Sequence, residues 1–121
     1  MIQTVAIVGL GALGIMYAEH FTNKIGKENV RIIVNKERKD RYEKLGIYAN
    51  GKKCNFNYVD ETSIQEPADL VIFSVKKSGL ESSLQTAKNQ IGNQTILMSV
   101  LNGISSEEII AEKYGNERII H

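Results

Sequence analysis

The chain has 121 residues, 42% of them apolar and 24% charged, a balance that excludes a disordered chain and fits one domain with one real core. Fifteen basic residues against fourteen acidic ones leave a net charge of +1, so there is no electrostatic case for nucleic acid or a charged membrane as partner. One cysteine, Cys54, excludes an internal disulfide and a cysteine metal cluster, and two distant histidines, His20 and His121, are too few for a histidine site, so no metal is expected.

Residues 2–8 form a short run rich in β-branched side chains that ends at Gly9, the pattern of a buried parallel strand. Leu13, Met16, Tyr17 and Phe21 follow at helical spacing, which predicts a helix over 12–24 with that face inward and Gly26 as its stop. Residues 30–34 read as a second buried strand. Residues 37–45 read as a short polar helix, with Tyr42 and Leu45 on one face and Gly46 ending it. The character then changes. Asn50-Gly51 between the strand-like runs 47–49 and 53–59 predicts a hairpin, because both turn residues take positive φ. A third strong apolar run covers 70–75. Ser78 and Glu81 have capping-box spacing, and Leu80, Leu84, Ala87 and Ile91 carry a helix on to Gly92. Residues 95–100 are strand-like. Ser105 to Glu108 forms a second capping box, opening a helix through Ile109, Ile110 and Tyr114, and 118–120 begins one more strand.

Strands alternating with helices predict an α/β fold: a doubly wound, mostly parallel, Rossmann-like sheet with a β-hairpin insertion near residues 47–59. Residues 1–121 read as one dinucleotide-binding domain. Because the last strand has barely begun at His121, the chain reads as the front part of a longer protein. A basic leader and a membrane-length apolar run are both lacking within it, and the expected compartment is the cytoplasm.

Gly9-Leu10-Gly11-Ala12-Leu13-Gly14 is G-x-G-x-x-G. The pattern alone is weak, and a glycine-rich turn that binds nothing is the bland alternative. Its place directly after the first strand and before the first helix makes it a dinucleotide fingerprint. In that reading Gly9 permits the turn, Gly11 lets the backbone approach a pyrophosphate, and Gly14 lets the helix lie close to the strands. The helix N-terminus, with Ala12 and Leu13, supplies N–H groups and positive potential for phosphate.

NAD-binding domains place a carboxylate at the end of the second strand for the ribose hydroxyls. Here Asn35 stands there, followed by Lys36, Glu37, Arg38 and Lys39. Asn35 can hydrogen-bond a 2′-phosphate and Lys36 or Arg38 can neutralise it, which favours NADP(H). The alternative is a solvated helix start. Ligands of doubly wound sheets sit where the first and fourth strands diverge. The run 70–75 delivers Lys76 there, and the next strand delivers Asn102, so both are expected near the nicotinamide end. A lysine could pair with a substrate carboxylate or polarise a carbonyl; equally, Lys76 could be a loop decoration and Asn102-Gly103 only a turn.

The Gly-Leu-Gly-Ala-Leu-Gly loop, Ser-Val-Lys at 74–76, Leu-Asn-Gly at 101–103 and Glu107-Glu108 together resemble the ketopantoate reductases (2-dehydropantoate 2-reductases), over essentially the whole chain. The resemblance implies reduction of 2-dehydropantoate to pantoate by NADPH, a step toward pantothenate and coenzyme A. It matches Gly9, Gly11 and Gly14 to the phosphate loop, Lys76 to the cleft lysine, and Asn102 to the asparagine lining cofactor and substrate. Family members commonly carry arginine where this chain has Asn35, which shifts the phosphate contact to Lys36 or Arg38. The family's helical domain, which supplies its main catalytic lysine, has no counterpart in these residues. The implied partners are a small ketoacid and a second copy of the chain. Self-association is also expected from apolar residues such as Ile119 and Ile120 left without a partner surface. Two other readings stay open: an NAD(P)-sensing module without chemistry, and an S-adenosylmethionine-binding methyltransferase, against which Asn35 counts.

Overall fold

Alternation within the first apolar run decides the layering. In β1 (Val5–Val8) all four side chains are buried: Val5 and Ile7 join one hydrophobic cluster, Ala6 and Val8 another. A strand without a solvent face belongs in the middle of a sheet. In the computed structural model, which describes residues 2–75, 79–100, 110, 114 and 119–120, that is where it lies.

From β1 the chain enters α1 (Ala12–Ile25), makes a short 3-10 turn at Lys27–Asn29, and returns through β2 (Val30–Val34) to α2 (Lys36–Leu45). A hairpin of β3 (Tyr48–Ala49) and β4 (Lys52–Lys53) follows, then β5 (Asn57–Asp60) and β6 (Leu70–Phe73). Beyond the described part of the next loop come α3 (Leu80–Thr86), a 3-10 turn at Lys88–Gln90, β7 (Ile96–Ser99) and β8 (Ile119–Ile120).

The main sheet runs β5-β2-β1-β6-β7-β8, and every neighbouring pair is parallel. With the hairpin set aside this is chain order 3-2-1-4-5-6, the doubly wound arrangement, with its switch point between β1 and β6. Tyr17, Phe21 and Ile25 of α1 and Tyr42 of α2 pack on the face of Val5, Ile7 and Ile32. Leu80 and Leu84 of α3, with Ala87, Ile110 and Ile119, fill the other face against Ala6, Val71 and Phe73. Two covered faces explain why the central strands β1 and β6 are apolar throughout rather than alternating.

At the N-terminal ends of the strands, a polar clasp stands in for apolar packing. The carboxylate of Asp69 accepts from the main-chain N–H of Gln3 (2.8 Å) and of Thr4 (3.2 Å). The Gln3 N–H above all, then that of Thr4, holds this carboxyl below the usual carboxylate range. Arg31 donates to the Glu66 carbonyl and to Oε1 of Gln90, each at 2.7 Å. Burial lowers its pKa, and the charges of Asp69 and Glu66 oppose that.

The structure differs from the sequence expectation in four places. The run 53–59 is not one hairpin arm: Lys52–Lys53 closes the hairpin, while Asn57–Asp60 is a parallel strand at the edge of the main sheet. The turn itself is as expected, with Asn50 at φ 53° and Gly51 at φ 78°. The inward face of α1 is Gly14 and Ala18, flanked by Tyr17 and Phe21, whereas Leu13 is 47% and Met16 52% exposed. Two small residues four apart draw the helix down onto the sheet, which turns the larger ones outward. The helix expected to reach Ile91 ends at Thr86, and its N-cap is Gly79 rather than Ser78, which lies outside the described residues. Ile119, expected to be exposed, is buried in the core, so it offers no patch for self-association; the second capping box also lies outside the described residues.

Candidate functional site

The three glycines of the loop are glycine for three different reasons. Gly9 has φ +95°, and a Cβ there would run into the Ser74 carbonyl and the Val75 side chain. A Cβ on Gly14 would lie 2.5 Å from the Gly9 carbonyl oxygen and 2.8 Å from Ser74 Oγ, so the helix needs this glycine to lie against β1 and β6. Gly11 is unlike both. It has an ordinary extended conformation (φ −72°, ψ −177°), and a Cβ would meet nothing within 4 Å. Nothing in the fold requires glycine there. The open space beside it is the kind a close-lying phosphate fills.

Gly11 is also the N-cap of α1, without a side-chain cap and with no acidic residue in the first turn. The Ile15 N–H closes the first helical bond onto the Gly11 carbonyl (2.9 Å). The N–H groups of Ala12, Leu13 and Gly14 precede that bond and have no partner within the helix. Together with the helix dipole they make this end a seat for an anion.

Beside the loop lies a cavity of about 250 Å³. The glycine loop gives it Gly9 and Leu10, the end of β2 gives Val34 and Asn35, and α2 gives Arg38 and Tyr42. Glu61, Val75 and residues of α3 close its remaining sides. It opens at the carboxyl ends of β1, β2 and β6, where the doubly wound topology places a ligand.

Asn35 does two jobs. Its Oδ1 accepts the Arg38 N–H at 2.8 Å, which caps α2. With the oxygen committed to the helix, the amide Nδ2 remains as a hydrogen-bond donor. Arg38, one turn into α2, is exposed, and no ion pair involving it is found among the described residues. Lys36 lines a separate depression with Lys39, Tyr58 and Asp60 on the far side of α2. Thus Gly9, Leu10, Asn35 and Arg38 share one cavity and Lys36 does not. Ala12 lines another cavity, of about 340 Å³, between α1 and the hairpin. Lys76 and Asn102 lie outside the described residues.

Sequence reading missed Tyr42, Glu61 and Ser82, all of which line the cavity beside the loop. Glu61 carries no local signal: it is the register of 57–60 with β2 that sets it beside Asn35.

Residues 5–121 match the sequence profile of the family described as Ketopantoate reductase PanE/ApbA. A 2-dehydropantoate 2-reductase of Aquifex aeolicus (strain VF5) is 28% identical over 120 residues, 99% of this chain and 38% of that protein. A pyrroline-5-carboxylate reductase of the same organism is 31% identical over 108 residues, 87% of this chain and 36% of that protein. Among solved structures, D-mandelate dehydrogenase in a ternary complex with NADH and anilino(oxo)acetate superposes with a TM-score of 0.77 at 26% identity, over 96% of this chain and 38% of that one. The chain therefore spans well under half the length of the relatives it matches.

Proposed function

The chain belongs to the ketopantoate reductase PanE/ApbA family, and on that premise we propose that residues 1–121 are the NADP(H)-binding domain of a reductase that converts 2-dehydropantoate to pantoate. The observation that carries the cofactor reading is Gly11, a glycine that neither backbone conformation nor packing demands, at the mouth of a helix with unsatisfied N–H groups. The three relatives are named for three different substrates, yet each is matched over little more than a third of its length. A cofactor-binding unit is the natural common part.

When bound, the cofactor supplies the hydride. The chain's own residues hold it. The loop and the start of α1 take the pyrophosphate, and the cavity beside Leu10 takes the adenosine. Asn35 Nδ2 and the Arg38 guanidinium reach the ribose 2′-phosphate, a charge-assisted contact of about 1.5–3 kcal/mol. Lys76 pairs with the ketoacid carboxylate or polarises its carbonyl, and Asn102 lines cofactor and substrate.

Calorimetric titration with NADPH, NADH and S-adenosylmethionine tests the cofactor part. NADPH is expected to bind at least about tenfold more tightly than NADH. Equal affinities remove the 2′-phosphate assignment, and binding of S-adenosylmethionine alone replaces it. NADPH oxidation on addition of ketopantoate, compared with other 2-ketoacids, tests the substrate.

A further inference from the structure

NAD-type domains carry a ribose-binding carboxylate at the end of the second strand, and residue 35 is not one. The structure supplies a carboxylate at the same height from the neighbouring strand. Val34 pairs with Asp60 in parallel register, so Asn35 and Glu61 leave their strands side by side. The Glu61 N–H donates to the Val34 carbonyl at 2.8 Å, and the Glu61 carbonyl accepts from Asn89 Nδ2 at 3.2 Å. The main chain is thus pinned on both sides. Glu61 stands between two depressions: it lines the cavity of Asn35 and Arg38 and also the one beside Lys88 and Asn89. Among the described residues its carboxylate makes no hydrogen bond or ion pair, with Arg38 or any other group.

We propose that Glu61 is a specificity-determining residue for the cofactor: its carboxylate opposes the ribose 2′-phosphate that Asn35 and Arg38 attract, and accepts from the free ribose hydroxyls when that phosphate is missing. The inference rests on the cofactor reading above. Two charges of like sign lining one cavity repel, and at the low salt of the test that repulsion is least screened. A carboxylate is an acceptor only, so it rewards a hydroxyl donor and penalises a phosphate. The donor pair at the start of α2 and the acceptor just past β5 therefore pull in opposite directions. NADH is then expected to retain measurable affinity in a site whose guanidinium, Arg38, favours NADPH.

Glu61→Gln keeps the shape and removes the charge. Because the backbone of residue 61 is held by its own N–H and carbonyl, the fold is expected to survive, and circular dichroism checks it. Dissociation constants for NADPH and NADH are measured by calorimetry at low salt on wild type, Glu61→Gln and, as a second truncation, Glu61→Ala. NADPH is expected to bind about tenfold more tightly in both variants and NADH more weakly, so that the discrimination widens by at least about tenfold. An unchanged ratio in folded variants that bind both cofactors overturns the role of Glu61 and leaves the cofactor reading intact. Wild type that binds neither cofactor overturns both.

Discussion

At the scale of single residues, Gly11 and Gly14 look alike in sequence and separate in structure. Gly11→Val puts a side chain where no protein atom stands within 4 Å, so the expected loss is that of a poorer N-cap, about 1 kcal/mol, and the fold stays cooperative. In that variant NADPH binding should fall below detection in calorimetry, the space beside the loop being taken. Gly14→Ala forces a Cβ against the Gly9 carbonyl and Ser74, and is expected to destabilise by about 1–3 kcal/mol, the usual cost of overpacking. If Gly11→Val unfolded the protein and Gly14→Ala did not, the roles would be reversed. Tyr58 gives a different residue-scale test. Its hydroxyl is buried with no hydrogen-bond partner, and burial is the first cause raising its pKa to about 12. The folded state therefore resists ionisation that the unfolded chain permits from about pH 10. Stability tied to this group is full below pH 10 and declines as pH rises toward 12. Tyr58→Phe is expected to be neutral or up to about 1 kcal/mol more stable at pH 7, and to lose less stability between pH 10 and pH 12, as denaturant titrations at each pH would show.

At the scale of elements, the start of α2 joins a helix cap and the proposed phosphate contact in one side chain. Asn35 caps the helix through Oδ1. Asp caps as well as Asn, so Asn35→Asp should leave the melting temperature nearly unchanged. It also places a carboxylate where Nδ2 stood, beside Glu61 and Arg38. NADPH affinity is expected to fall by at least about tenfold while NADH affinity holds or rises. Asn35→Ala should instead cost about 1 kcal/mol of stability through the lost cap and weaken NADPH less than the aspartate does. The comparison separates capping from charge, and the aspartate failing to weaken NADPH more than the alanine would refute the phosphate contact.

At the scale of the whole molecule, a net charge of +1 provides no general field to draw in an anionic dinucleotide. Discrimination between NADPH and NADH must then come from a few local charges, of which Arg38 is exposed. Exposed charges are screened by salt, the Debye length shrinking from about 30 Å at 0.01 M to about 3 Å at 1 M. The proposed preference for NADPH is therefore expected to narrow severalfold across that range, while NADH affinity changes little. A preference independent of salt would locate the discrimination in buried contacts. Ile119, apolar and in the last described strand, is packed into the core and offers no patch for self-association.

The sequence by itself determined the buried strands, the glycine loop and the class of sheet. Those rest on local chemistry: β-branched runs, glycine at a βα turn, and Asn-Gly with two positive φ angles. The central strands β1 and β6 were legible because burial on both faces leaves no polar residue to interrupt them. What only the tertiary structure decided was which residues meet. The edge strand Asn57–Asp60 is polar enough to pass for a hairpin arm until its parallel register with β2 is seen. The inward face of α1 was misread because hydrophobicity favoured Leu13 and Met16, while close packing chose Gly14 and Ala18. Glu61 stands 26 residues from Asn35 in sequence and beside it in the sheet. Periodicity along a chain carries information about a residue's own element; proximity across strands is set by register, which no local pattern records.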